Sequence, residues 1–238
     1  MLNLPPHAQA ADSAPAVRTI TKGIDPKALE ELQRMSNTLA AAPALTCTSN
    51  SISQVPAVTG QFLTLFSTIE IALKRPNKLS AHVAGEAPHF DFFYDGSVAA
   101  ASAPGTKVYS ISEAPPTIDA MLSGLEKETG IRLVTAPLFF SNPYAVLTKG
   151  LTSAVVVGPV DIRGTPCIHL AFRSPGVDWE IWIANRPQAV PLRMAVTFTD
   201  RPGAPRAVAE FSRWNLHPFL SNNRFVFHKP AGAKEIPF

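Results

Sequence analysis

The chain has 238 residues, of which 46% are hydrophobic and 16% charged, whereas an average protein is about 25% charged. Its net charge of +3 and pI near 9.0 come without a dense Lys/Arg run, the nearest approach being Lys74, Arg75 and Lys78. That excludes a nucleic-acid binder, which gathers its basic residues on one face, and 23 dispersed prolines exclude a bundle of long helices.

The first 22 residues read as a disordered terminus. They include Ala8-Gln9-Ala10, the small-x-small pattern of a signal-peptidase site, without the basic and apolar regions that precede such a site. The expectation is an exported protein with a truncated export signal. No apolar stretch reaches the ~18 residues a membrane-spanning helix needs, so no such helix is predicted. From residue 23 to 238 no repeat, linker or composition shift divides the chain, and one domain is expected.

The first regular element is a helix opened by Asp25-Pro26, an N-cap followed by a proline suited to the first helical position. Leu29, Leu32, Met35 and Leu39 recur at helical spacing as far as Ala42-Pro43. Cys47 lies in a strand-like segment. Phe62 to Leu73 is apolar on both faces, as in a strand covered on both sides. Lys78–Val83, Phe90–Tyr94, the Asp95-Gly96 hairpin signal, Val98–Ser102 and Val108–Ile111 continue as a meander. Ile118, Met121, Leu122 and Leu125 then mark a second helix with its stop at Gly130, and Pro137–Leu147 reads as a third, Phe-rich one. Strand-like segments fill the rest: 155–157, 167–172, 178–184, 192–199, 207–214 and 224–227.

Two constellations carry possible chemistry. Cys167 and His169 share a strand face, half of a metal site or of a nucleophile pair, but no further ligand cluster or orienting group accompanies them. They are read as core residues. Asp178 and Glu180 share a face around Trp179; Asp178 follows a turn and Glu180 is expected to pair with an arginine. Phosphate-binding glycine loops, nucleophile elbows and Cys-x-x-Cys are absent from the sequence, so neither catalytic residues, metal nor cofactor is predicted. Cys47 and Cys167 would stabilise the fold if paired, but as two strand residues they are read as separate buried thiols.

Several segments together resemble known proteins. Leu73-Lys74-Arg75-Pro76-Asn77-Lys78-Leu79 followed by Phe93-Tyr94-Asp95-Gly96 resembles the early strands of LolA-type lipoprotein carriers. Ala114-Pro115-Pro116-Thr117-Ile118-Asp119, Cys167–Phe172, Asp178–Ile183 and the ending Phe225-Val226-Phe227 with Pro230, Gly232 and Ala233 are similar to a family of predicted periplasmic proteins of unknown function. The resemblance covers roughly residues 25–238. It implies an α+β fold: one curved antiparallel sheet, an unclosed half-barrel, with helices covering its concave face. In LolA-like carriers the space between sheet and helical lid takes up acyl chains, and the arginine of the Arg-Pro-Asn strand, here Arg75, helps to hold and hand over the lipoprotein. The family itself is not known to carry lipoproteins, and Pro43, Pro56 and Pro88 interrupt the early region.

The expectation is a monomeric periplasmic protein that binds a lipid or other hydrophobic small molecule and catalyses nothing. Its pocket would be lined by Phe62, Phe66, Phe92, Leu122, Phe139, Trp179 and Ile181, with Arg75 at an entrance to meet an anionic head group. The other reading is a sensor or interaction module that recognises another envelope protein with the same sheet.

Overall fold

Asp25 accepts the amide of Lys27 at 2.9 Å and Pro26 takes the first helical position, so α1 (Pro26–Ala41) starts where the sequence signals it. Its apolar stripe, Ala28, Leu32, Met35 and Leu39, is completely buried. The computed structural model describes residues 23–237 apart from 87–88, 104 and 130–132. The signal-like segment 1–22 and the expected helix stop at Gly130 lie outside the described residues.

Six strands follow α1: β1 (Ala44–Pro56), β2 (Phe62–Lys74), β3 (Lys78–Gly85), β4 (Phe90–Tyr94), β5 (Val98–Ala103) and β6 (Val108–Glu113). Then come α2 (Ile118–Thr129), a 3₁₀ turn at Ala136–Phe139 and α3 (Pro143–Leu147). Five more strands complete the main meander: β7 (Ser153–Ile162), β8 (Thr165–Ser174), β9 (Val177–Ala184), β10 (Pro191–Phe198) and β11 (Arg206–Asn215). A 3₁₀ turn at Asn222–Phe225 leads to the short β12 (Lys234–Glu235).

All twelve strands form one sheet in the order β12-β6-β5-β4-β3-β2-β1-β11-β10-β9-β8-β7. Its ends, β12 and β7, do not meet, so the half-barrel is unclosed as expected. The two meanders join where β1 pairs with β11, and every pairing is antiparallel except β12 on β6.

Register assigns the two faces, because residues paired across antiparallel strands point the same way. Leu73, Leu79, Tyr94 and Ala99 form one row, and Ile71, Ala81, Phe92 and Ala101 the next. On the other meander Leu170, Ile181, Met194 and Ala209 align. These rows make the concave face and join the apolar sides of α1 and α2 in one core. The opposite, convex face is covered over β3–β6 by the C-terminal segment. There Phe227 packs on Phe93 and Tyr109, with ring centroids 6.0 and 5.4 Å apart, and Phe225 is fully buried.

Two of these expectations are corrected. Pro137–Leu147 is not one helix: Asn142 precedes Pro143, which disfavours the α conformation there, and Asn142 caps α3 by accepting the amide of Ala145 at 3.0 Å. Residues 224–227 are not a strand, because Ser221 accepts the amide of Asn223 and starts the 3₁₀ turn. Cys47 lies in a strand as expected, and that strand, β1, runs for 13 residues.

Candidate functional site

The turn between β2 and β3 is one point at which the sheet holds its helical cover; on the other meander Arg34 of α1 donates to Arg186 O at 2.9 Å. Arg75 extends from the β2–β3 turn beneath three carbonyls. Its Nη2 donates to Phe140 O at 3.0 Å and Leu39 O at 3.4 Å, and its Nη1 to Phe139 O at 3.3 Å. One side chain thus ties the end of α1 and the loop after the Ala136–Phe139 turn to the sheet. Its Nε is buried and has no acceptor. Burial lowers the pKa of this guanidinium, and the nearby Asp119 acts in the opposite direction.

Neighbouring polar contacts fix the rest of the cover. The amide of Ile118 donates to Pro76 O at 3.0 Å, seating the start of α2 on the same turn. Asp119 accepts the amide of Ser141 at 2.8 Å and its hydroxyl at 2.5 Å. Ser36, buried on α1, accepts the amide of Tyr144 at 2.9 Å. Helix, turn and sheet are therefore joined through a few polar groups, while the surfaces they enclose are apolar.

Phe92, Leu122, Phe139, Trp179 and Ile181 are all buried in that enclosed core, within one contiguous cluster. Trp179 stacks on Phe172 with centroids 4.0 Å apart. The protein's own side chains occupy the space: Leu32, Leu45, Leu73, Leu138, Leu170 and Ile183 are completely buried. Phe62 and Phe66 do not belong with the others. With a side-chain period of two, the inward positions of β2 are Ile69, Ile71 and Leu73, so the even-numbered Phe62 and Phe66 point to the convex side. Phe66 is 54% exposed and lines a shallow convex groove with Ile52 and Val208. Phe62 lies against Gly203, where an added Cβ would fall 2.5 Å from its ring.

The chemistry-bearing pairs lie on the convex face too. His169 stacks on Trp182 at 4.1 Å and its Nε2 lies 2.9 Å from Glu180. Arg206 donates to the other oxygen of Glu180 at 2.5 Å, meeting the expectation of an arginine partner. The hydrogen bond to His169, helped by Arg206 and opposed by burial, holds the Glu180 carboxyl down to about 2. Asp178 is bidentate with Arg173, at 2.6 and 2.7 Å. Both cysteines are free and buried; Cys47 faces the concave core and Cys167 the convex cluster with Trp182, so the sheet separates them. Among the described residues no group of three His, Cys, Asp or Glu side chains is placed to hold a metal ion, and no helix is long and apolar enough to cross a membrane.

Asp119, Ser141 and Ser36 are the site residues that sequence reasoning missed. Ser36 had a visible signal, since it falls on the apolar stripe of α1 between Leu32 and Leu39, where a hydroxyl needs a partner. Asp119 and Ser141 are 22 positions apart, and no local pattern joins them.

A family model described as predicted periplasmic protein (DUF2092) matches residues 28–238. No curated protein matches the chain. Among solved structures, the chain is similar to an uncharacterized conserved protein from Thermus thermophilus, at 14% identity and a TM-score of 0.52, over 89% of this chain and 99% of the other. It is also similar to the lipoprotein LppX of Mycobacterium tuberculosis, at 14% identity and a TM-score of 0.51, over 80% and 96%. A LolA superfamily protein from Nitrosomonas europaea superposes with a TM-score of 0.45 at 8% identity, over 84% and 97%.

Proposed function

The chain belongs to the DUF2092 family of predicted periplasmic proteins, and from that premise we propose that it binds a hydrophobic or lipidic ligand between its concave sheet and helical cover, without catalysis. The observation that carries this reading is the construction around Arg75. A cover that serves only as core has no need of a buried guanidinium with an unpartnered Nε, because burying a charge is costly and apolar packing is its cheaper substitute. Held by three carbonyls, two of them at 3.3–3.4 Å, Arg75 is a fastening that an anionic head group can compete for.

Release of Arg75 frees the segment 136–147, and with it the face lined by Phe92, Leu122, Phe139, Trp179 and Ile181. An acyl chain entering there gains about 0.8 kcal/mol for each buried CH₂, enough for tight binding without specific polar contacts. Phe62 and Phe66, on the outer face, take no part.

The test is extraction of protein purified from the cell envelope without detergent, followed by mass spectrometry, together with titration of a fluorescent fatty acid. A stoichiometric acyl-chain compound and saturable uptake are expected. An empty extract with no saturable uptake refutes the proposal and leaves the fold as a protein-recognition module.

A further inference from the structure

β1 and β2 are longer than their neighbours. Pairing of β1 with β11 ends at Ser53, and pairing of β2 with β3 ends at Ser67. Beyond these points the strands pair only with each other, as far as Pro56 opposite Phe62. Side chains close the ladders: Gln54 accepts the amide of Arg206, and Glu86 accepts that of Phe66, both at 2.9 Å. Gly85 then turns away at φ +134°, where any Cβ would lie 2.3 Å from Phe66 O. Residues 54–66 are a two-stranded arm standing about 10 Å beyond the sheet, at ~3.3 Å per strand residue.

The arm's composition is unusual for a projection into water. From Met35 to Ile69 the chain has no charged residue and no histidine. Val58 at the tip is fully exposed, Leu63 is 44% exposed on one face of the arm and Phe66 54% exposed on the other. An arm apolar on both faces does not suit a one-sided protein groove. It suits a medium that surrounds it. Beyond Phe66, whose carbonyl accepts the amide of Glu86 at 2.9 Å, the outer backbone groups of the arm have no strand partner among the described residues. That rules out deep burial in hydrocarbon but not the head-group layer, where hydrogen-bond partners abound. Beside the arm, the β10–β11 turn places Gly203 against Phe62 and carries the exposed Arg201 next to the exposed Asp200, Glu86 sits at the arm's base, and the chain as a whole is cationic.

We infer that the β1–β2 arm docks the protein shallowly on an anionic bilayer surface, with Val58 and Leu63 in the head-group and upper acyl region and Arg201 at lipid phosphates. The inference stands whether or not the interior takes a ligand.

Flotation with vesicles tests it. The full chain should float with vesicles of phosphatidylethanolamine and phosphatidylglycerol, and bind at least tenfold more weakly to phosphatidylcholine alone. Val58→Asp combined with Leu63→Asp should weaken binding at least tenfold without shifting the thermal midpoint, since both side chains are exposed. Arg201→Glu should weaken it for anionic vesicles only. Failure of the parent to float, equal binding to both compositions, or a double variant that floats like the parent overturns the proposal. So does a parent that sediments as a dimer, dissociates on the double substitution and ignores vesicles.

Discussion

Replacing Arg75 by alanine removes a side chain that joins α1, the Ala136–Phe139 turn and the sheet. The bond to Phe140 O at 3.0 Å has good length, and those to Phe139 O and Leu39 O, at 3.3 and 3.4 Å, are weak. A charged donor to a carbonyl contributes about 1.5–3 kcal/mol, and the two long bonds together add roughly as much again. Against this stands relief from burying a guanidinium with an unpartnered Nε. The net loss expected is about 2–3 kcal/mol, which for a chain of this size lowers the melting temperature by roughly 5–10 °C. Denaturant unfolding followed by circular dichroism measures the first quantity. Hydrogen exchange adds location: the amides of Ser141, Tyr144 and Ala145 should lose protection more than those of β9. Arg75→Lys should recover less than half of the loss, because one ammonium does not reach three separated carbonyls. A change below about 0.5 kcal/mol with unaltered exchange in residues 136–147 would refute the role of Arg75 as the fastening of the cover.

Other consequences follow from position on the sheet. Ile181→Ala, at a fully buried concave site, should cost about 2–5 kcal/mol, whereas Phe66→Ala on the convex face should cost under about 1 kcal/mol; comparable losses in chemical denaturation would mean that the face assignment is wrong. The Glu180 carboxyl, held near 2 when folded against 4.5 ordinarily, contributes stability that is present in full above about pH 4.5 and is lost as pH falls toward 2. Glu180→Gln should therefore flatten the acid limb of the stability curve, by about 2 kcal/mol after allowance for partial exposure; an unchanged limb contradicts the carboxylate's role. Burial pushes both thiols up, so Cys47 and Cys167 should react with a thiol reagent only on unfolding, and rapid modification of the native protein would count against their placement.

Local physics makes much of this protein legible from its residues alone. Asp25-Pro26 and the spacing of Leu32, Met35 and Leu39 specify α1, because capping and helical periodicity act within one segment. Alternation over 192–199 and the Asp95-Gly96 turn likewise specify strands and a hairpin. Where local signals conflict they mislead. Pro137–Leu147 has helical composition, yet Asn142-Pro143 divides it. In β2 the two phenylalanines share the even positions with Thr64, Thr68 and Glu70, while Leu63, Leu65, Ile69, Ile71 and Leu73 take odd ones; the size and apolarity of Phe62 and Phe66 suggest inward positions, whereas both lie on the outer face. Pairing with β1 and β3 fixes that alternation in place, since a shift of one residue exchanges the faces of a strand.

The family, its periplasmic setting and the unclosed sheet were likewise within reach of the sequence, because they rest on segments such as Arg75-Pro76-Asn77 and Cys167–Phe172 that can be read one at a time. Tertiary structure alone decided what meets across long separations: Arg75 with Phe140, Asp119 with Ser141, Ser36 with Tyr144. The physical reason is common to all three. A hydrogen bond acts only near 3 Å, and which distant groups come that close depends on how sheet and helices pack as a whole.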